Sequence, residues 1–131
     1  MNALFINISN HPSSKWDVKQ ITAALKMVDN GPIIDVQFPN VDPEMTTEDI
    51  IALAKDMFYK NILDVIAECD FPDYIILHVM GEMSFTYNFV NIVKNFKGEN
   101  IDCVVSTTKR NVVEKDGVKT SVFEFVQFRK Y

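Results

Sequence analysis

Mostly polar and charged residues follow the ends of three apolar runs in this sequence, and their types suit the binding of a nucleotide. They are Ser9, Asn10, His11 and Ser13 after the first run, Gly81, Glu82, Met83, Ser84 and Thr86 after the second, and Thr107, Thr108, Lys109 and Arg110 after the third. Each run predicts a buried parallel strand, and ligands of open parallel sheets bind beyond the carboxyl ends of the strands. Hydroxyls, amides, an imidazole and two cations at one edge suit phosphate and ribose better than an apolar ligand.

The stretch from Asp73 to Tyr87 reads as a strand, a glycine turn and the start of a helix. Gly81 allows a tight reversal that a residue with a Cβ would resist. The apolar period changes at Ser84 to that of a helix, whose first backbone N–H groups lack intrahelical partners and can bind an anion. We therefore expect the backbone near Ser84 to contribute to the same site.

Lys109 and Arg110 are the candidate cations for this anionic ligand. Adjacent strand residues point to opposite faces, so both enter one pocket only if the backbone turns or bulges there. The chain carries a net charge of −5, which argues against a protein that coats duplex nucleic acid. A small anionic ligand in a local basic pocket remains compatible with this charge.

Several of these residues also have purely structural explanations. Ser13 is a candidate helix cap, as is Ser14, which has the capping-box spacing to Asp17. Glu82 near a helix N-terminus is favourable without any function. His78 lies within an apolar strand, where a histidine is more often a hydrogen-bonded core residue than a functional one.

Alternating strands and helices are expected to position the candidate residues. The predicted strands cover residues 4–8, 33–38, 74–79 and 101–106, and the predicted helices cover 18–28, 47–68 and 84–96. This order predicts an α/β protein with an open, mainly parallel sheet and helices on both faces. Thr46 and Asp49 have the spacing of a capping box at the second helix. At 131 residues, the chain from 1 to 131 is expected to form one domain.

The last third of the chain departs from this alternation. Asp116 and Gly117 lie between two strand-like segments, 111–115 and 118–128, which is a strong signal for a C-terminal β-hairpin. Phe123 and Phe125 fall on one side of its second strand, and Val122, Val126 and Phe128 fall on the other. The hairpin is therefore expected to finish the sheet, cover a subunit interface, or do both.

The composition of the chain indicates where in the cell the protein is expected and whether it is expected to hold a cofactor. No apolar run approaches the roughly 20 residues that cross a bilayer, and the N-terminus lacks the features of a signal peptide. We therefore expect a cytoplasmic protein that does not insert into membranes. Cys69 and Cys103 have neither metal-binding spacing nor neighbouring histidines, so no disulfide, metal or other cofactor is expected. The glycine-rich phosphate loops of common nucleotide-binding domains are missing.

Three motifs carry a resemblance to a known family. MGEMSFTY at 80–87, STTKR at 106–110 and DGVKTSVFEFVQFRKY at 116–131 resemble small standalone CRISPR-associated proteins with a Rossmann-like, CARF-type fold. These proteins take part in cyclic oligoadenylate signalling in antiviral defence, and several are ring nucleases. The resemblance implies a three-layer Rossmann-like domain without an effector domain, which removes or sequesters the messenger.

The resemblance and the residues together predict a mechanism. A twofold homodimer offers two copies of Lys109 and two of Arg110 to a cyclic tetra-adenylate. A ribose 2′-OH then attacks its own 3′-phosphate without a metal, and His11 or Glu82 takes the proton. Three alternatives stay open: a sink or sensor that holds the ring uncut, a flavodoxin-like mononucleotide-binding module, and a structural interaction subunit.

Overall fold

A computed structural model describes residues 2–131 and shows strands and helices in alternation. The strands are β1 (Ala3–Ser9), β2 (Ile33–Gln37), β3 (Tyr74–Met80), β4 (Ile101–Lys115) and β5 (Val118–Lys130), and the helices are α1 (Val18–Met27), α2 (Thr47–Asp56), α3 (Leu63–Glu68) and α4 (Met83–Asn95). A 3-10 turn at Ser13–Lys15 precedes α1, and a π-helical segment at Met57–Ile62 joins α2 to α3. None of the helices in residues 2–131 has the length and apolar character needed to cross a bilayer.

The five strands form one sheet in the order β2-β1-β3-β4-β5. The first four strands are parallel, and β5 runs antiparallel to β4. The chain moves outward from β1 to β2 and then crosses back to β3, so the strand order reverses between β1 and β3. This topology confirms the predicted α/β, Rossmann-like sheet with a C-terminal antiparallel strand pair, and it locates the switch point at which such sheets bind ligands.

Two apolar cores show that helices cover both faces of the sheet. Phe5 and Ile76 pack with Ala24 of α1 on one face. On the other face, Leu77 packs with Phe58 of the π-helical segment and Phe89 of α4. Because both faces are covered, β1 and β3 are apolar runs rather than alternating ones, which is why the sequence predicted them with nearly correct bounds.

Of the two predicted capping boxes, the one at α2 is present and the one at α1 is not. At α2, the Thr46 side chain accepts from the Asp49 N–H at 3.1 Å, and the Asp49 carboxylate accepts from the Thr46 N–H at 3.1 Å, which confirms the prediction. The prediction of Ser14 as a cap was wrong. Ser14 lies inside the 3-10 turn, and Asp17 caps α1 instead by accepting from the Gln20 N–H at 2.8 Å.

Replacing Thr46 with alanine is expected to lower the free energy of unfolding by about 1 kcal/mol, because the cap of α2 is lost. Urea unfolding followed by circular dichroism measures the change. Thr47→Ala, in the next position, is the matched control and is expected to stay within about 0.5 kcal/mol of the wild type. Equal destabilisation by the two substitutions would show that the cap contributes nothing specific.

The fourth strand is longer than predicted. It does not end at Ser106 but continues to Lys115, and it pairs with β5 from Val104 to Lys115. Residues 109–124 therefore extend past the other strands as a two-stranded ribbon, which we call the hairpin arm. At its tip Asp116 and Gly117 have φ angles of 53° and 78°, as the predicted two-residue hairpin turn requires.

A bulge in β5 changes which face of the strand its aromatic side chains lie on, so the predicted arrangement was wrong for Phe128. Thr107 pairs with Gln127 but Thr108 pairs with Phe125, so Val126 is an extra residue in β5. The extra residue shifts by one position the alternation of side chains between the two faces of the strand. Phe128 was predicted to lie opposite Phe125, yet their rings lie on the same face with centroids 4.9 Å apart.

Candidate functional site

A groove of about 560 Å³ lies at the carboxyl ends of β1 and β3, beside Ser106 and Thr108 in the middle of β4, on the face of the sheet that α1 covers. We call it the strand-end groove. Its polar lining includes Ser9, His11, Lys15, Ser106 and Thr108, and its aromatic lining includes Trp16, Phe123 and Phe125. The groove adjoins the switch point between β1 and β3, where ligands of such sheets bind.

A chain of hydrogen-bonded polar side chains lies beneath this groove. The buried imidazole of His78 contacts Asn7 Oδ1 through Nδ1 at 2.8 Å and Ser106 Oγ through Nε2 at 3.3 Å. Asn7 Nδ2 donates to Asp35 Oδ1 at 2.9 Å. The Asp35 carboxylate also accepts from the N–H and the hydroxyl of Ser13. These contacts confirm that His78 is a hydrogen-bonded core histidine, and they connect the groove to the loop after β1.

The protein environment holds His78 in its neutral form. Burial lowers the pKa of His78 to about 4, and the nearby charge of His11 acts in the same direction. Only 2% of the His78 surface is exposed. At neutral pH the imidazole therefore offers one N–H donor and one nitrogen lone pair.

The residues that were predicted to share one site lie in three places. Ser9, His11 and Thr108 line the strand-end groove. Asn10 lines a smaller hollow of about 370 Å³ beside Asp35, the residue to which Ser13 is bonded. Gly81, Met83 and Thr86 line a third cavity, and Thr107 donates its hydroxyl to the Gln127 carbonyl at 3.1 Å.

The third cavity is an apolar groove of about 700 Å³ along α4, on the other face of the sheet. Met83 and Tyr87 of this α4 groove are largely exposed. Thr86 Oγ1 is buried there without a hydrogen-bond partner among the described residues. Met80, at the end of β3, lines both this groove and the strand-end groove, so the two adjoin across the sheet edge.

The N-terminus of α4 does not offer the free anion site that was predicted near Ser84. The Glu82 carboxylate accepts from the Ser84 N–H at 2.8 Å and from the Phe85 N–H at 2.9 Å. Hydrogen bonds from the Ser84 hydroxyl and from these backbone groups lower the pKa of Glu82. The protein's own carboxylate therefore holds the donors that a phosphate would need.

The two candidate cations point to opposite sides of the hairpin arm. Arg110 pairs across the strands with Phe123, which lines the strand-end groove, and its Nε donates to Ser121 Oγ at 3.0 Å. Lys109 pairs with Glu124 on the other side. As strand alternation requires, only Arg110 lies on the side that bears the groove.

Sequence reasoning missed several residues of the groove. Lys15 and Trp16 are not among the predicted site residues, although they follow the polar loop after the first strand and Trp16 is the only tryptophan in the sequence. Trp16 Nε1 donates to the His11 carbonyl at 3.1 Å, which fixes the indole at the groove. The apolar pattern predicts Ser106 only as the last residue of a strand, and its contact with His78 depends on the pairing of β3 with β4.

No three His, Cys, Asp or Glu side chains in residues 2–131 lie close enough together to hold a metal ion. Cys69 and Cys103 are both free thiols, and Cys103 is buried. Burial raises the pKa of the Cys103 thiol to about 12, with a further contribution from the charge of Asp102. Cys103 is therefore in its unreactive thiol form at neutral pH.

Comparison with known proteins identifies a family to which the chain is similar. No curated protein and no solved structure matches this chain. Residues 3–129, nearly the whole chain, match a family described as the Uncharacterized protein MJ1673 family. The matched segment includes every strand-end residue discussed above. The chain therefore belongs to the MJ1673 family.

Proposed function

We propose that this protein binds a cyclic oligoadenylate messenger in the strand-end groove and holds it as a sink or sensor. The observation that carries the proposal is the combination of Lys15 with the aromatic side chains of Trp16 and Phe123 in one groove. Cations neutralise phosphates, and aromatic rings stack on nucleobases. The choice of a cyclic oligoadenylate among nucleotides rests on the resemblance of residues 80–87 and 106–131 to CARF-type proteins.

A twofold homodimer is the proposed host of the ring. A cyclic tetra-adenylate has four phosphates and rotational symmetry, which an isologous dimer can match. Two copies of Lys15 and two of Arg110 supply four cations. The hairpin arm supports this assembly, because a two-stranded ribbon is marginally stable in water and Val112, Val118 and Phe123 on it are exposed.

Binding is favoured over cleavage because two of the four groups predicted to cleave the ring, Glu82 and Lys109, do not reach the groove. Glu82 is engaged at the start of α4, and Lys109 lies on the side of the arm away from the groove. Stabilising a pentavalent phosphate requires positioned cations and donors around the reacting atoms. A site that lacks part of this set is better suited to holding the ring intact.

Metal-independent ring cleavage is the second candidate, because His11 lines the same groove as Lys15. In this reaction the ribose 2′-oxygen forms a bond to the adjacent 3′-phosphorus while the bond to the 5′-oxygen breaks. His11 accepts the proton of the 2′-OH, and the leaving 5′-oxygen takes a proton from water. The product is a linear chain with a 2′,3′-cyclic phosphate.

Isothermal titration with cyclic tetra-adenylate tests the binding proposal. We expect one ring for two chains, and we expect Lys15→Ala to weaken binding by about tenfold, because the dimer loses two exposed ammonium groups that are each worth less than about 1 kcal/mol. Lys19→Ala is the matched control: it removes a nearby cation of α1 that does not line the groove, and we expect a change below about twofold. Absence of binding by the wild type, or equal losses in the two variants, would contradict the proposed site.

Incubation of the bound ring with EDTA, followed by chromatography, separates the two candidates. A sink or sensor returns the intact ring. Linear products that disappear in His11→Ala would establish cleavage instead. Tight binding of a flavin or an adenine mononucleotide, without any response to the ring, would favour the mononucleotide-binding alternative.

A further inference from the structure

The polar chain beneath the strand-end groove has a fixed direction of hydrogen-bond donation. Asn7 Nδ2 lies 2.9 Å from Asp35 Oδ1 and 2.9 Å from the His11 carbonyl oxygen. Both oxygens can only accept, so the amide NH2 of Asn7 must face them. Asn7 Oδ1 therefore faces His78 and acts as an acceptor toward it.

This orientation determines the tautomer of His78. The His78 Nδ1 atom lies 2.8 Å from Asn7 Oδ1, so Nδ1 carries the hydrogen. A neutral imidazole then has its lone pair on Nε2, which lies 3.3 Å from Ser106 Oγ. The burial of His78 keeps the ring neutral, so this lone pair is present at neutral pH.

The Ser106 hydroxyl consequently has no hydrogen left for a ligand. Its one hydrogen can go to His78 Nε2 or to Met80 Sδ, which lies 3.0 Å from Ser106 Oγ. The imidazole nitrogen is the stronger acceptor, and either choice keeps the hydrogen within the protein. Ser106 lines the strand-end groove and presents only oxygen lone pairs to it.

We infer that Ser106 is a specificity-determining residue of the strand-end groove, where it accepts a hydrogen bond from an exocyclic amino group of the bound base. This inference rests on the proposed function. The 6-amino group of adenine donates to such an oxygen. The 6-carbonyl of hypoxanthine or guanine places an acceptor against an acceptor, which leaves both unpaired.

Two rings that differ only in this group test the inference: cyclic tetra-adenylate and cyclic tetra-inosinate. Titration calorimetry on the wild type is expected to show about tenfold or greater preference for the adenylate ring. Ser106→Ala removes the acceptor, so the preference is expected to fall below about threefold, chiefly through weaker binding of the adenylate ring.

Two further variants serve as controls. Ser106→Thr keeps the hydroxyl and is expected to keep the preference. Thr107→Ala removes the adjacent hydroxyl, which donates to the Gln127 carbonyl instead of lining the groove, and is also expected to keep it. Equal affinity of the wild type for the two rings, or a preference that persists in Ser106→Ala, overturns the inference while leaving the proposed function intact. Failure of the wild type to bind either ring overturns the proposed function and this inference with it.

Discussion

Replacing Arg110 with alanine is expected to weaken the binding of cyclic tetra-adenylate by about 100-fold, whereas Lys109→Ala leaves the affinity within about threefold of the wild type. Hydrogen bonds to charged groups contribute roughly 1.5–3 kcal/mol each, and a twofold dimer loses two copies of Arg110 at once. The two substitutions remove the same formal charge from adjacent positions. They differ in the face of the hairpin arm from which they remove it.

The geometry of the arm gives the reason for this difference. Arg110 is on the side of Phe123 and Thr108, which line the strand-end groove, and among the described residues only Ser121 accepts a hydrogen bond from its guanidinium. Lys109 lies opposite Glu124, whose negative charge offsets its own. The guanidinium therefore keeps donors for a phosphate on the groove side.

Titration calorimetry at low ionic strength measures the two affinities, since added salt screens exposed charges. Arg110→Lys separates charge from geometry: a single ammonium cannot bind a phosphate through two parallel donors, so partial recovery of affinity is expected. A greater loss in Lys109→Ala than in Arg110→Ala would show that the ligand binds the other face of the arm.

The sheet and most of its elements could be predicted from the sequence because their signals are local. Continuous apolar runs mark β1 and β3, and the Asp116-Gly117 pair marks the turn of the hairpin. The end of β4 could not be predicted in this way. Residues 107–110 are polar and resemble a loop, yet pairing with β5 across the chain keeps them in a strand.

The candidate site was predicted only in part, for a related reason. The residues after β1 and β3 do lie at the carboxyl edge of the sheet, but sequence position does not show which face of the sheet they join. Gly81 and Thr86 line the α4 groove, while Ser9 and His11 line the strand-end groove. The link from His78 to Asn7 joins residues 71 positions apart, so no local pattern indicates it.

Because His78 is neutral in the folded protein, we expect mild acidification to lower the free energy of unfolding. The pKa of His78 is about 4 in the folded protein, and an unperturbed histidine has a pKa of about 6.5. Between these values the unfolded chain binds a proton that the folded protein does not. Stability therefore falls as the pH drops below about 6.5, and the loss is complete once the pH is below about 4.

We expect the free energy of unfolding to fall by about 2 kcal/mol between about pH 7 and about pH 5 as a result of this one group. Carboxylates add little in this window. The pKa values of Asp35, Glu82 and Asp102 are lowered in the folded protein, so all three are ionised there, and unfolded carboxylates with pKa values near 4 remain mostly ionised as well.

Urea unfolding at the two pH values measures this loss, and the chain supplies its own control because its only other histidine is His11. His11→Gln is expected to keep most of the loss, because burial is the main cause of the low His78 pKa, whereas His78→Gln is expected to reduce the loss below about 0.5 kcal/mol. Proton NMR of the wild type gives a second readout that needs no core substitution: the His78 ring signal is expected not to titrate above about pH 5. A His78 signal that titrates near 6.5 would contradict the lowered pKa of His78 and, with it, the expected loss of stability. Below that pH the protonated ring could not accept the serine hydrogen, so Ser106 would act as a fixed acceptor only above it.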